Sequence, residues 1–201
     1  EVKTDLYRLV FDSEGGSLIK AELLQHIDMA DKSRNFLLLD ESAQRVYMAQ
    51  TGLIGGSFPT HKTLMTAVPG PRELQDGQDA ITVRFESPEQ GGLKLVKTWT
   101  IQRGAYDIAV RHEVVNTGNV AVSPQLYLQL VRDGNPPPGE SSFYSTFTGP
   151  AVFTDAKKYQ KVDFKDIENG KVDIPRDSPN GYVAMVQHYF ATAWLLADGV
   201  Q

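Results

Sequence analysis

Cysteine is absent from the 201 residues, which excludes disulfides, thiolate metal sites and a cysteine nucleophile and leaves the redox compartment unread. Basic excess is missing too. Lys plus Arg number 20 against 25 Asp plus Glu, a formal net charge of -5. No surplus of cations is on hand to neutralise phosphates, so nucleic acid is not expected as a partner, and nothing suggests an anionic membrane surface. The four histidines, at 26, 61, 112 and 188, show no His-x-x-x-His or Glu-x-x-His spacing, so no metal and no cofactor are expected. There is no Gly-x-Ser-x-Gly elbow to present a serine nucleophile. Gly55-Gly56-Ser57 lacks the following Lys-Ser/Thr and helix of a phosphate cradle. No signal peptide, transmembrane segment, linker-like tract or solenoid repeat is visible, and the opening Glu1-Val2-Lys3-Thr4 reads as a processed or excised start.

With 41% hydrophobic and 22% charged residues, the composition is that of a globular chain, long enough to bury a core. The longest apolar run, residues 181–196, is interrupted by Gln187 and His188. It falls short of the roughly 18 to 20 unbroken apolar residues of a membrane-spanning helix. Tyr182, Val183, Val186, Tyr189, Phe190, Thr192 and Trp194 favour strand, and Pro179-Asn180-Gly181 in front supplies a turn. The run is therefore expected to be one buried strand, or two broken near Gln187-His188, covered on both faces deep in a sandwich. Val183, Met185, Gln187, His188, Tyr189, Phe190 and Trp194 are its structural core residues, with Gln187 and His188 satisfying backbone groups inside.

Elsewhere the pattern is one of short strands. Residues 6–11 and 17–24 flank Gly15-Gly16, a hairpin signal because glycine accepts the positive φ of tight turns. Residues 36–39 and 46–49 are short strands, and 51–72 a long surface loop. Residues 80–86 alternate with Ile81, Val83 and Phe85 on one face. Residues 93–101 place Leu93, Leu95, Trp99 and Ile101 together, with Lys97 the exception. Tyr106, Ile108, Val110, His112 and Val114 share the next face, and 126–131 form a further strand. Strands at spacings of about ten to twenty residues, punctuated by glycine turns and without a helical period, predict an antiparallel β-sandwich.

His112 sits on an apolar strand face, where a hydrogen-bonded core or boundary histidine is favoured over a general acid or base. His188 is read the same way. The lysines 157, 158, 161 and 165, interleaved with Asp155, Asp163 and Asp166, read as a solvated face. Residues 133–180 differ in character from the strands before them. Pro136, Pro137 and Pro138 stiffen the chain, and Phe143, Tyr144 and Phe147 follow, a candidate partner-binding stretch in a long excursion of the kind that often carries function.

Three stretches resemble the large periplasmic domain of the bacterial membrane protein insertase YidC. They are Val2-Lys3-Thr4-Asp5 with Phe11-Asp12-Ser13-Glu14-Gly15-Gly16, then Phe147-Thr148-Gly149-Pro150-Ala151 through Tyr159-Gln160-Lys161-Val162-Asp163-Phe164, and most specifically Tyr182 through Trp194. The resemblance implies an all-β, antiparallel β-supersandwich similar to galactose mutarotase, with few short helices. It implies a place in the periplasm, between transmembrane helices that this chain lacks. The expected role is that of a non-catalytic accessory domain contacting Sec translocon subunits or nascent membrane proteins. After Ala193-Trp194, the family's hydrophobic-proline pair is replaced by Leu195-Leu196. The family domain also runs on through more strands, so residues 1–201 are expected to form a single domain lacking its closing strands and linker helix. The competing reading is a carbohydrate-binding domain or mutarotase-like enzyme on the same fold. Mutarotation needs an acid and a base converging on the sugar ring oxygen and anomeric hydroxyl, and no paired histidine–glutamate motif of that kind is present.

Overall fold

The structure is a computed structural model and describes residues 1–137, 139 and 146–196. It divides into two compact units, Glu1–Val131 and Arg132–Gln201. In the first, the strands run β1 (Val2–Lys3), β2 (Tyr7–Asp12), β3 (Ser17–Ile27), β4 (Asn35–Glu41), β5 (Val46–Ile54), β6 (Thr66–Ala67), β7 (Ala80–Glu86), β8 (Leu93–Gln102), β9 (Ile108–Asn116) and β10 (Gln125–Arg132). The second holds β11 (Gly149–Thr154), β12 (Lys158–Lys161), a five-residue helix α1 (Phe164–Glu168), β13 (Tyr182–Gln187) and β14 (Phe190–Leu195). The chain is nearly all-β with antiparallel strand pairs, as its patterning predicts.

In the first unit, a six-stranded sheet of order β1-β2-β3-β4-β5-β10 faces a four-stranded sheet of order β6-β7-β8-β9. The alternation of β7 buries Ile81, Val83 and Phe85 and exposes the residues between them. On β8, Leu93, Leu95, Trp99 and Ile101 are each at most 2% exposed. Phe11 of β2 bridges the sheets, its ring 6.0 Å from Phe85 and 5.4 Å from Trp99. Interdigitation of this kind is the core of a sandwich.

The β2–β3 hairpin turns at Gly15 and Gly16 with φ of 70° and 57°. A Cβ on Gly15 would lie 2.3 Å from the His61 carbonyl oxygen, so backbone packs where a side chain would stand. That approach also corrects the reading of residues 51–72 as a surface loop. β5 extends to Ile54, and Phe58, Pro59 and Met65 are buried as the segment folds back onto the hairpin. Gly15 N–H donates to Thr63 O and Met65 N–H to Ser13 O, which holds the contact.

In the second unit the sheet order is β12-β11-β13-β14. The apolar run is a hairpin: Tyr182↔Leu195 through Gln187↔Phe190 pair in register, leaving His188-Tyr189 as a two-residue turn. Among the described residues β14 is a sheet edge. Coverage on both faces is thus corrected, since Val183 is 41% exposed and Leu195 71%.

Alanine substitution separates the two demands on these glycines. Gly77 has φ of 80° with open space around its Cβ position, so Gly77→Ala is expected to cost about 1 to 2 kcal/mol, the left-handed penalty alone. Gly15→Ala carries the same penalty plus the clash with His61, and a loss at least about 2 kcal/mol larger is expected in urea denaturation. Equal losses would show that conformation, not close approach, requires the glycine.

Candidate functional site

The strongest concentration of titratable chemistry lies between the two sheets of the first unit. Lys97 occupies the inward row of β8, where its neighbours two residues away are Leu95 and Trp99, and it is 0% exposed. Burying an ammonium is costly unless its protons find acceptors. Here Nζ donates to the Gly15 carbonyl at 2.5 Å and to the Thr51 carbonyl at 2.6 Å. Two residues along, Trp99 Nε1 donates to the Gly16 carbonyl at 3.1 Å. One face of β8 therefore satisfies both carbonyls of the double-glycine turn. Burial lowers the Lys97 pKa to about 7.

Thr51 serves a second base. Its hydroxyl and His112 Nε2 are hydrogen-bonded at 2.7 Å, and burial, followed by the Lys97 charge, lowers the His112 pKa to about 4. Beside them the Tyr127 hydroxyl accepts from the His61 backbone N–H at 2.9 Å and bonds His61 Nδ1 at 2.5 Å. His61 is also shifted down, by burial first and then by the charges of Lys62 and Lys97, against an opposing pull from Glu14. A Cβ on Gly52 would lie 2.4 Å from the Tyr127 hydroxyl, so this glycine makes room for the ring. The seam ties β5, β8, β9, β10 and the hairpin turn. A surface pocket of about 510 Å3 lies elsewhere, lined by Lys3, Arg72, Glu73 and their neighbours.

His112 is thus a hydrogen-bonded boundary histidine, the role favoured from its strand face. Its neighbour Glu113 is on the opposite face of β9, paired with Arg84 at 3.7 Å and Arg111 at 3.3 Å. Lys97, Thr51, His61 and Tyr127 belong to no sequence motif. The signal for Lys97 is its position as the one charged residue in an apolar row.

The candidate partner-binding residues are only partly described. Pro136 is exposed, Pro137 and Phe147 half-buried, and Pro138, Phe143 and Tyr144 lie outside the described residues. Lys161 Nζ stands 5.1 Å from the Phe147 ring centroid, a cation–π contact. Of the expected core residues in 181–196, Met185 is buried, and Gln187, Phe190 and Trp194 are half-buried. Val183, within the ladder opposite Trp194, and His188 and Tyr189 are exposed, which corrects their expected burial. The register places His188-Tyr189 at the hairpin tip, where side chains leave the sheet. His188 Nδ1 bonds the Thr146 hydroxyl rather than buried backbone groups. Tyr189 takes φ of 71°, uncommon for a bulky residue.

Among the described residues no cluster of His, Asp and Glu has the arrangement of a metal site, and no helix is long and apolar enough to cross a membrane. The family model described as the YidC periplasmic domain matches residues 1–201. The chain is 50% identical over 204 residues to the membrane protein insertase YidC of Bordetella parapertussis, covering 100% of this chain and 36% of that protein. It is 48% identical over 194 residues to YidC of Janthinobacterium sp., with 96% and 34% covered. Against YidC of Aromatoleum aromaticum the identity is 44% over 201 residues, with 100% and 36% covered. The chain spans about a third of the length of these relatives.

The pH dependence of stability follows from Lys97. Its folded pKa of about 7 lies below its unfolded value. The unfolded chain therefore holds the extra proton above pH 7, and stability rises with pH from there towards 10. Tyr7, pushed up to about 12 by burial, acts only above pH 10, where the unfolded phenol ionises first. Between pH 7 and 9.5, chemical denaturation is expected to favour wild type over Lys97→Met by a margin growing on the order of 1 kcal/mol per pH unit. A constant margin would show that the ammonium keeps its ordinary pKa.

Proposed function

The chain belongs to the YidC periplasmic domain family, and from that premise we propose that it is a non-catalytic accessory domain of a membrane protein insertase. It supports insertion through contacts with Sec translocon subunits or nascent membrane proteins. The observation that carries the non-catalytic part is the seam itself. Its two most strongly shifted bases are bonded within the sandwich, Lys97 to two carbonyls and His112 to Thr51. A mutarotase needs an acid and a base turned towards one sugar, whereas Glu113 faces away from His112 and into arginines. The mutarotase reading is therefore disfavoured. Contact with partners is assigned to the stretch from Pro136 to Phe147, where proline rigidity and aromatic side chains coincide.

Two measurements test this. No mutarotation of galactose or glucose is expected, and turnover abolished by His112→Ala would overturn the non-catalytic assignment. In the full-length protein, replacing Phe143, Tyr144 and Phe147 by alanine is expected to weaken capture of translocon subunits by about threefold or more with folding intact. Undiminished capture would remove the stretch from the partner surface.

A further inference from the structure

The seam ends on an open strand edge. β9 closes the order β6-β7-β8-β9, and among the described residues no strand pairs with its far side. The hydrogen-bond phase follows from one contact. Thr117 N–H donates to Gly92 O in a register where Leu93 faces Asn116. Residues 109, 111, 113 and 115 therefore turn their backbone groups to β8, and 108, 110, 112, 114 and 116 turn theirs outward. The bond from Ser87 N–H to Leu95 O places the odd residues of β8 against β7, in the same phase. Such an edge is a template for another strand unless something holds it.

The inward face of β9 carries half-buried Ile108, Val110 and His112, and His112 is hydrogen-bonded across to the facing sheet. Among the described residues it is the one side chain of β9 hydrogen-bonded to the six-stranded sheet, through Thr51 on β5. Thr51 is already engaged, since its carbonyl accepts from the buried Lys97 ammonium. We propose that Lys97, Thr51 and His112 form a proton-operated latch that fastens the β9 edge when His112 is neutral and loosens it when His112 takes a proton in mild acid.

The electrostatic surroundings support one proton rather than two. Protonating His112 sets a second cation beside Lys97 on β8, with Thr51 the bonded neighbour of both. From the segment after β5, His61 and Lys62 add positive or potentially positive charge. From the hairpin turn, Glu14 supplies a carboxylate whose pull reaches His61. Tyr127 of β10 contributes a hydroxyl, bonded to His61. On β9 itself Arg111 and Glu113 lie on the outer face and pair with each other. His112 has no carboxylate hydrogen-bonded to it among the described residues. The closed state therefore resists the proton while a frayed β9 accepts it near the ordinary histidine value, so protection of β9 is full above about pH 6.5 and falls as pH drops towards 4.

Hydrogen exchange in the full-length protein tests the latch. After correction for intrinsic rates, amides 109, 111, 113 and 115 are expected to exchange on the order of twentyfold faster relative to pH 7 when assayed at pH 5. Those of β7 should change less than about twofold. His112→Gln, which keeps a side chain able to bond Thr51 but cannot be protonated, should abolish the response, and His61→Gln should leave it in place. If His112→Gln fails to fold, Lys97→Met decides between the outcomes, because removing the neighbouring charge should shrink the acid response. An equal acid response in His112→Gln, an undiminished one in Lys97→Met, its loss in His61→Gln, or none in wild type overturns the proposal.

Discussion

The Lys97 ammonium is the interaction around which the first unit is arranged. A charge taken fully out of water must be surrounded by acceptors, and here these are main-chain carbonyls of the turn and of β5. A carbonyl can reach the ammonium only if the backbone around it comes close. The turn therefore needs residues without side chains, and it has Gly15 and Gly16, each in the left-handed region. A Cβ on Gly16 would stand 2.9 Å from the Phe85 ring, as one on Gly15 would meet His61. The glycines, the lysine and the indole of Trp99 are parts of one solution to a packing problem.

This dependence explains what the sequence made legible. Alternation along β7 and β8 announced a sandwich because each strand buries one face, and the double glycine announced its hairpin because positive φ has few other residues to use. Boundaries such as Ala80–Glu86 follow directly from that pattern. Lys97 broke the pattern without revealing why. Its acceptors lie 46 and 82 residues away, and no local spacing encodes a bond to a main-chain carbonyl. Tyr127 and His61 are joined across 66 residues in the same silent way.

The apolar run shows the opposite failure. Its hydrophobic content suggests burial, yet content fixes the kind of element more firmly than its environment. Paired with each other, β13 and β14 place Ala184 opposite Ala193 and Val186 opposite Ala191, a self-consistent hairpin. Of these, Ala184 is buried while Ala191 and Ala193 are exposed, because β11 flanks β13 whereas β14 has an open side among the described residues. The polar pair marks the break correctly. Its burial does not follow, because a two-residue turn and a buried polar step leave the same trace in sequence, a short interruption between apolar segments. For the partner-binding stretch, sequence composition remains the main support, with Phe147 under Lys161 the described contact.

An interior built on a lone lysine and neutral histidine also sets where the first unit is weakest. Apolar contacts of Leu93, Leu95, Trp99 and Ile101 do not depend on protons, and in mild acid Lys97 keeps its proton, so β7 and β8 are held alike there. β9 differs because among the described residues one of its sides is paired with another strand and the other is not, and its side-chain hydrogen bond to the facing sheet is made by a titratable ring. The cost of charging that ring is raised by the same ammonium that organises the hairpin, so the stabilising interaction at the centre of the sandwich creates the sensitivity at its edge. A neutral residue in place of Lys97 would shrink the sensitivity, burial being the larger cause of the His112 shift, and would leave the Gly15 and Thr51 carbonyls without their donor. Fold integrity and the response of the edge to protons are therefore coupled through one side chain.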